Sequence, residues 1–540
     1  MSLVNLKVLA MRVFKLLPRF GLFEAFIALL FSIGFFSRLA PLFNQDGRLM
    51  RQPTEDGFLM LTIARNIALG LGMSTADGTI PTNGTQPLFT LIQALAFALV
   101  GANKERGVAL ILAIQIGISM VTAILLFLLT RQVLKHRNHA WEIAALAATL
   151  WFSSPVVLRH TMNFLETGIY FALILASVSI WYRLEIRYTS KNSVSWSFIG
   201  VGVLLGLTTW ARIDAVFLVF SISLWHSLLG LRKPFNQLPR RLLESITIGL
   251  TAALVISPWL LFNKLNFGSF MPISGTAQSY TSSFASNAIE VPAQLFEYLT
   301  FVLPLPHAIQ HHPLVLLFTS LTIFSYLALL AFRSQRFFPN ERIFLFVALS
   351  YAALLVIYYG FFFGAAHFVN RYLAPISLFT VISSAAFVGS AFSWLSKPRF
   401  TLRLLPATGA LLLCLILFSN ARNYLDSKHH GHFQVVDWVS HNVDPNTWVG
   451  AIQTGTLGFF HNRTINLDGK VNPAALHASI HNQLPDYIIN QSFDPSGNKI
   501  QFLADWSGIA QWHNIPSIRS HFQLLLNDPS INLAVLKRTH

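Results

Sequence analysis

Charged residues are scarce in this chain of 540 residues. Asp, Glu, Lys and Arg make up 11% of it, whereas hydrophobic residues make up 54% and aromatic residues 13%. An average soluble domain has about a quarter of its residues charged, so this composition excludes an ordinary soluble protein. The sequence instead predicts a mainly α-helical protein that crosses a membrane many times.

Cysteine is almost absent, since Cys414 is the only one. An intramolecular disulfide is therefore excluded, and any domain outside the membrane must be held by its own core and by its contacts with the rest of the chain. The sequence also has no Asp-x-Asp, no Gly-x-Gly-x-x-Gly and no P-loop motif. Nothing in it therefore indicates a nucleotide or nucleotide-sugar ligand.

Acidic residues are outnumbered, with 22 Asp and Glu against 38 Lys and Arg, which gives a net charge of +16. Such an excess occurs in nucleic-acid-binding proteins and also in the cytoplasmic loops of membrane proteins. The basic clusters follow every second predicted span, at 131–137, 183–191, 232–241, 333–342 and 397–403. This alternation indicates a topological role for the charge, so we predict a lipid-bilayer protein with no nucleic-acid partner.

Apolar segments predict about eleven spans. They are Gly21–Ala40, Val108–Thr130, Ala140–Leu158, Leu165–Tyr182, Ser197–Ala211, Ala215–Leu231, Leu243–Phe262, Leu314–Phe332, Phe344–Gly364, Leu373–Leu395 and Leu404–Asn420. The first is preceded by basic residues and reads as a retained anchor with a cytoplasmic amino terminus. Pro87–Val100 and Leu295–Pro306 are too short to span and are predicted to lie at the interface or to re-enter.

An odd number of spans places the segment after Asn420 outside the cytoplasm. We call residues 421–540 the tail and expect a small α/β domain there, after a transmembrane domain at 1–420. The helix-like VVDWVSHNV and the strand-like WVGAI alternate in a way that is compatible with a parallel sheet.

An acidic pair, Glu55 and Asp56, lies in the first external loop, at about 41–107, within TEDGFLMLTIARN. One interpretation is that both are solvated, or that Asp56 only starts a helix over Phe58–Leu69, where a carboxylate complements the helix dipole. The other is that the pair belongs to a functional site on the external face. Further polar residues at span ends are predicted on that face: Arg159, His160, Asn163, Glu166, Arg212, Asp214, His367, Asn370 and Arg371.

Ionisable groups at membrane depth are normally paired or functional. An ion pair of Arg212 with Asp214 or Glu166 could by itself explain why these charged residues occur there. A functional site is the alternative for the same residues.

The order of these motifs resembles the bacterial multi-spanning glycosyltransferases of the GT-C superfamily, notably the arabinofuranosyltransferase-like and protein-mannosyltransferase-like members. The resemblance runs nearly end to end. The matching positions are Glu55-Asp56-Gly57-Phe58, Arg65, Asn66, Gly70, Gly72, Gly84-Thr85-Gln86-Pro87-Leu88, Leu165-Glu166-Thr167, Arg212-Ile213-Asp214, Gly268 to Pro272 with Thr276-Ala277-Gln278, Arg371 to Pro375, and Leu467-Asp468-Gly469. Three positions depart from the family pattern: Glu55 replaces an Asp, Ile213 a Pro, and Gln278 a Lys.

The resemblance implies a polytopic GT-C fold in the inner (cytoplasmic) membrane, with the active site and the tail on the periplasmic or extracytoplasmic side. It also implies a sugar donor carried on a polyprenyl phosphate and an acceptor that is a glycan, lipid or protein of the cell envelope. A carboxylate can remove the proton of the attacking hydroxyl, and cations can hold the departing phosphate.

The implied roles follow from the matched positions. Asp56 is the expected base, and Glu55 is expected to position groups or to contact a metal. The other implied residues are Arg371, Arg212 and Arg65 for the donor phosphate, and Glu166, Asn163, His367 and Tyr372 for substrate binding. A divalent cation, Mg²⁺ or Mn²⁺, held by Asp56 and Glu166 stays an open alternative, because some GT-C enzymes use one and others do not.

Two other classes of protein stay open. A lipid-linked sugar carrier would also have many spans, but such transporters usually show internal repeats and mid-membrane charges. An oligosaccharide polymerase or ligase would have its main site in a large late external loop, which the early acidic pair argues against.

Overall fold

The computed structural model describes residues 21–43, 47–188, 196–231, 237–280, 282–299, 307–322, 325, 341–384, 401–422 and 431–539. Helices dominate the chain up to Asn420. They are α1 Leu22–Leu39, α2 Glu55–Ala68, α3 Pro87–Leu99, α4 Lys104–Val133, α5 Ala140–Ser153, α6 Pro155–Thr161, α7 Thr167–Ile186, α8 Ser197–Ala211, α9 Val216–Leu228, α10 Leu238–Phe267, α11 Ile273–Tyr280, α12 Val291–Leu299, α13 His307–Gln310, α14 Pro313–Thr322, α15 Arg342–Phe361, α16 Val369–Leu373 and α17 Thr401–Asn420.

Six helical segments in the described part of the chain are long and apolar enough to cross a membrane, and a bent pair of helices raises this number to seven. Shorter apolar helices include α3, α8 and α14. Two predicted spans, Leu314–Phe332 and Leu373–Leu395, extend outside the described residues, as do residues 300–306 of the predicted Leu295–Pro306 helix. The count of about eleven spans therefore stays a prediction.

The predicted span Ala140–Leu158 is broken into two helices in the structure. The structure has two helices there, α5 and α6, bent by 62°. The bend falls at Ser154 and Pro155 because proline cannot donate the backbone hydrogen bond that would continue α5. The Ser154 hydroxyl instead accepts from the Val157 amide at 3.3 Å and caps α6.

Close packing of α8 on α10 fixes the end of α8, where Arg212 follows. A Cβ atom at Gly202 would lie 2.8 Å from the Ile248 carbonyl oxygen, and one at Gly206 would lie 2.5 Å from the Val255 Cβ. Glycine at this four-residue spacing lets two helix backbones approach each other closely, as in many membrane helix pairs.

The tail forms an α/β unit whose strands and helices are α18 Phe433–Asn442, β3 Val449–Ala451, α19 Gly455–Phe460, β4 Thr464–Asn466, α20 Pro473–Ile480, α21 Leu484–Asn490, β5 Phe502–Asp505, α22 Pro516–Arg519, β6 Phe522–Asp528 and β7 Leu533–Arg538. Two further short strands, β1 Ser74–Thr75 and β2 Ile80–Pro81, pair with each other in the first loop.

The tail sheet has the order β4-β3-β5-β7-β6. Strand β3 is parallel to β4 and β5, whereas β7 is antiparallel to β5 and β6. The sheet is therefore mixed and not wholly parallel as the alternating pattern suggested. The short turn between β6 and β7 is the reason, because only antiparallel neighbours can be joined by so few residues.

Candidate active site

Helix α2 carries the acidic pair and begins earlier than predicted, at Glu55 instead of Phe58. Its cap is Thr54, whose hydroxyl accepts from the Gly57 amide at 3.2 Å. A Cβ atom at Gly57 would lie 2.4 Å from the Asn163 carbonyl oxygen, so only glycine fits there. Both acids therefore lie in the first turn, where their side chains diverge by about 100°.

Asp56 forms a salt bridge with Arg371, with 2.9 Å between Asp56 Oδ2 and Arg371 Nη1. The guanidinium also lies over the rings of Phe368 and Tyr372, at 5.0 and 5.1 Å from their centroids. Burial lowers the pKa of Arg371, but Tyr372, Asp56 and Glu166 raise it by more, so the net shift is upward. Arg371 is therefore a permanent cation beside Asp56.

A cavity of about 310 Å³ contains this pair. Its polar wall includes Asp56, Glu166, Asp214, Gln278, Arg371, Tyr372 and Lys470. Apolar side chains form much of the rest, and two of them, Val216 and Met271, are 52% and 41% exposed. The cavity thus has both charged and apolar walls, which suits an amphipathic ligand with an anionic head.

Glu166 is brought to this cavity by a strained turn. Phe164 has a φ of +66°, which is a rare conformation for a bulky residue. The Asn163 side chain stabilises the turn by accepting from the Leu165 amide at 3.1 Å, and Gln93 donates to the Phe164 carbonyl at 2.8 Å. Asn163, predicted to bind substrate, does not line the cavity and holds the turn that precedes Glu166. Glu166 itself is 3% exposed and lines the cavity.

Arg212, predicted to bind the donor phosphate, is bound to a neighbouring carboxylate in this structure. Its guanidinium is bound to the Asp214 carboxylate at 2.5 and 3.2 Å, and Tyr359 donates to the same carboxylate at 2.7 Å. Arg212 is 1% exposed and does not line the cavity. Its structural role is to support Tyr372, which lies 4.7 Å from the guanidinium and stacks on Tyr359 with 4.4 Å between ring centroids.

Arg65, also predicted to bind phosphate, points elsewhere. It follows Asp56 by about two and a half turns and so lies on the opposite side of α2. Its Nε donates to the Ala102 carbonyl at 2.9 Å, and it lines a small cleft with Asp77 and Asn462. Arg65 stabilises the first loop and lies away from Arg371.

Glu55 binds the tail. Its carboxylate accepts from the Gly455 amide at 2.5 Å, the Thr456 amide at 2.9 Å and the Thr456 hydroxyl at 2.5 Å. His432 Nδ1 lies 4.0 Å from the same carboxylate. Burial lowers the pKa of His432 to about 4, so the imidazole is neutral at pH 7. Glu55 therefore joins α2 to the start of α19.

Lys470 is the cavity residue that the sequence did not predict. It directly follows the motif Leu467-Asp468-Gly469, yet it lines the same cavity as Asp56 and Arg371. Its ammonium group lies 3.2 Å from the Asp468 carboxylate. The only local signal for it is the charged pair in LDGK, which by itself does not indicate a contact with the cavity that contains Asp56 and Arg371.

A second cavity of about 640 Å³ begins on another side of Arg371. Its lining is polar and consists of Arg159, His160, Glu290, Gln294, Glu297, Gln310, Ala366, His367, Asn370 and Arg371. His367, predicted to bind substrate, lies here and not in the first cavity. Arg371 is thus the wall that the two cavities share.

The carboxylates of the acidic pair are bound to other groups in this structure. Asp56 is bound to Arg371, and the Glu55 carboxylate is used by the tail. Within the described ranges, no group of three or more His, Cys, Asp and Glu side chains could hold a metal ion. Hard divalent cations need several oxygen ligands, so a cation held by Asp56 and Glu166 would have to displace Arg371 from Asp56.

Solved structures with a similar fold are large membrane enzymes. The oligosaccharyltransferase of Archaeoglobus fulgidus, tethered with an acceptor peptide that contains the NVT sequon, matches with a TM-score of 0.51 and 14% identity over 93% of this chain and 72% of its own. AglB from the same organism, in complex with an inhibitory peptide and a dolichol-phosphate, matches with a TM-score of 0.51 and 13% identity over 96% and 74%. ArnT from Cupriavidus metallidurans, bound to undecaprenyl phosphate, matches with a TM-score of 0.53 and 11% identity over 95% and 97%.

These neighbours are GT-C glycosyltransferases. At identities this low the likeness shows a shared fold, so the predicted mainly helical GT-C fold is confirmed. Residues 422–532 match a family model described as a domain of unknown function, DUF8728. No curated protein matches the sequence.

Proposed function

We propose that this protein is a membrane glycosyltransferase of the GT-C type. It transfers a sugar from a polyprenyl-phosphate donor to a hydroxyl or amide acceptor on a glycan, lipid or protein. The observation that carries the proposal is the Asp56–Arg371 salt bridge at 2.9 Å inside a cavity whose walls are partly charged and partly apolar. A prenyl phosphate has the same division into an anionic head and an apolar chain.

The donor phosphate competes with Asp56 for Arg371. In the structure one guanidinium nitrogen is bound to Asp56, and another donates to the Tyr372 hydroxyl at 3.3 Å. Arginine binds phosphate through its planar fork of donors. When a phosphate takes over the guanidinium, the Asp56 carboxylate loses its neutralising partner and becomes a stronger base.

The chemical step then uses the two residues in different roles. Asp56 takes the proton from the acceptor while the acceptor atom forms a bond to the anomeric carbon. The bond between that carbon and the phosphate oxygen breaks, and its electron pair stays on the phosphate, which Arg371 holds. The acceptor must therefore lie in the first cavity, within reach of Asp56 and next to Arg371.

We place the site and the tail on the extracytoplasmic side of the cytoplasmic membrane. Helix α4 supports this orientation, because Lys104 at its start contacts the tail at Phe460, whereas Arg131 lies near its other end. Thirty residues of helix are about 45 Å long, which is more than the hydrocarbon core of a bilayer. The predicted cytoplasmic cluster at 131–137 is thus far from the cavity, as the positive-inside rule requires.

The test is transfer by the purified full-length protein from a panel of synthetic polyprenyl-phosphate monosaccharides. Asp56→Asn keeps the shape of the side chain but cannot take the proton, so transfer should fall by about 10² to 10⁴ while donor binding largely survives. Asp77→Asn is the matched control, because it makes the same change at an exposed position of the same loop. If Asp56→Asn transfers at the wild-type rate, or if the protein only moves the donor between leaflets with no change of bonds, the proposal is wrong.

A further inference from the structure

The tail is built into the wall of the first cavity. A Cβ atom at Gly84 would lie 2.2 Å from the Lys470 carbonyl oxygen and 3.0 Å from Val471 Cγ1. A Cβ atom at Gly455 would lie 1.8 Å from the Glu55 carbonyl oxygen. Backbone therefore packs directly on backbone at two places, and glycine is needed at both. Contacts this close fix the position of the segment that carries Lys470.

Lys470 is the tail residue that this packing carries into the cavity. Among the described residues that line the cavity, it is the only lysine and the only residue from the tail. Its side chain is 28% exposed, and its ammonium group lies 3.2 Å from Asp468 and 5.7 Å from the Phe368 ring centroid. The cavity therefore has two cationic residues, Arg371 from the membrane domain and Lys470 from the tail.

Lys470 keeps its charge in this position. Burial lowers its pKa, but the carboxylates of Asp468, Asp56 and Glu55 raise it by more, so the net shift is upward. The ammonium group contacts Asp468, which is not part of the cavity lining, whereas Lys470 itself lines the cavity and can donate to an anion there.

We propose that Lys470 binds the phosphate of the lipid-linked donor together with Arg371 and stabilises the additional negative charge of the leaving phosphate. This inference rests on the proposed transferase function and adds a residue from the tail to its site. A polyprenyl-phosphate sugar is a phosphodiester with one negative charge. The polyprenyl phosphate that leaves is a monoester, whose second ionisation has a pKa of about 6, so a second charge develops on the phosphate as the sugar departs.

A second cation therefore stabilises the phosphate more strongly after the bond to the sugar has broken than before. Interactions that strengthen towards the transition state raise kcat, whereas equal binding of both states changes only KM. Removal of the Lys470 charge should lower kcat more than it raises KM. A residue that merely held the tail in place would not produce this division.

The experiment compares two lipid probes on the purified full-length protein. Undecaprenyl phosphate represents the product monoester, and its methyl diester represents the singly charged donor. Lys470→Met should weaken monoester binding by about tenfold or more, the loss expected for one charge-assisted hydrogen bond, and should change diester binding by less than about threefold. Lys470→Arg should keep the monoester affinity. Lys499→Met, a tail lysine outside the cavity, is the matched control.

Each other outcome has a distinct meaning. If Arg371→Ala no longer binds the monoester and Lys470→Met binds it as the wild type does, the role proposed for Lys470 is wrong and the proposed function stands. If Lys470→Met weakens both probes equally and Lys470→Arg does not rescue, Lys470 is only structural and the inference is wrong. If neither variant changes binding and Asp56→Asn transfers normally, the proposed function fails together with the inference.

Discussion

Glu55→Gln tests whether Glu55 holds the tail in place while Asp56 alone takes part in the reaction. The Glu55 carboxylate accepts three hydrogen bonds from Gly455 and Thr456. Glutamine keeps one acceptor oxygen and turns an NH₂ group, itself a donor, towards the remaining donors. We therefore expect this substitution to weaken docking of the tail while leaving Asp56 and its partner Arg371 in place.

The magnitude follows from the bonds that are lost. A hydrogen bond to a charged group contributes about 1.5–3 kcal/mol, so losing one or two of the three should cost about 3 kcal/mol. That cost is equivalent to about a hundredfold shift of the docking equilibrium. Thr456→Val removes only the hydroxyl donor and should have a smaller effect.

The assay is hydrogen exchange of the full-length protein, followed in the peptides that contain residues 455–460 and 470–476. Both should exchange faster in Glu55→Gln and remain at the wild-type rate in Glu105→Gln, which makes the same change at an exposed acid near the end of the first loop. Transfer should fall together with docking. Combination with Lys470→Met should add little, because residues that act through one contact are not additive.

Two results would refute this reasoning. If Glu55→Gln leaves exchange of the tail unchanged, the three hydrogen bonds do not hold the tail. If it abolishes transfer while the tail remains docked, Glu55 takes part in the chemistry itself.

Three further predictions concern the phosphate, the tail and the topology. Arg371→Ala should weaken undecaprenyl phosphate binding by about tenfold or more, whereas Arg65→Ala should leave it unchanged; equal losses in a binding assay would contradict the assignment. Burial raises the pKa of Asp505 from its ordinary 3.8 to about 6. The protonated carboxyl therefore stabilises the folded protein below pH 3.8, and this stabilisation, about 3 kcal/mol in total, is lost as the pH rises through 6. Asp505→Asn should therefore remove this pH dependence from hydrogen exchange of residues 449–455, and a variant that keeps the wild-type dependence would refute the cause. In a Cys414→Ser background, a cysteine at the exposed Ser496 should react with an impermeant thiol reagent from outside intact cells, and labelling only after lysis would reverse the topology.

The sequence by itself determined the features that depend on neighbouring residues. Long apolar runs predict membrane helices, since burial in a bilayer requires that backbone groups bond within a segment. The position of the acidic pair at the start of a helix also follows from neighbouring residues, although Thr54 and Gly57 make the helix begin at Glu55 and not at the predicted Phe58. The strand Val449–Ala451 and the helix before it followed from short-range periodicity as well.

Only the tertiary structure decided which of these side chains meet. Asp56 pairs with Arg371 and shares its cavity with Lys470, although both are distant in the chain. Periodicity places a residue on a face of a helix but does not say what packs against that face. Helical spacing puts Arg65 opposite Asp56, but only the structure shows that Arg65 binds the Ala102 carbonyl there. In the same way, only the structure shows that Arg212 is bound by the Asp214 carboxylate. The docking of the tail, which brings in Lys470, depends on contacts between backbones that no local pattern records.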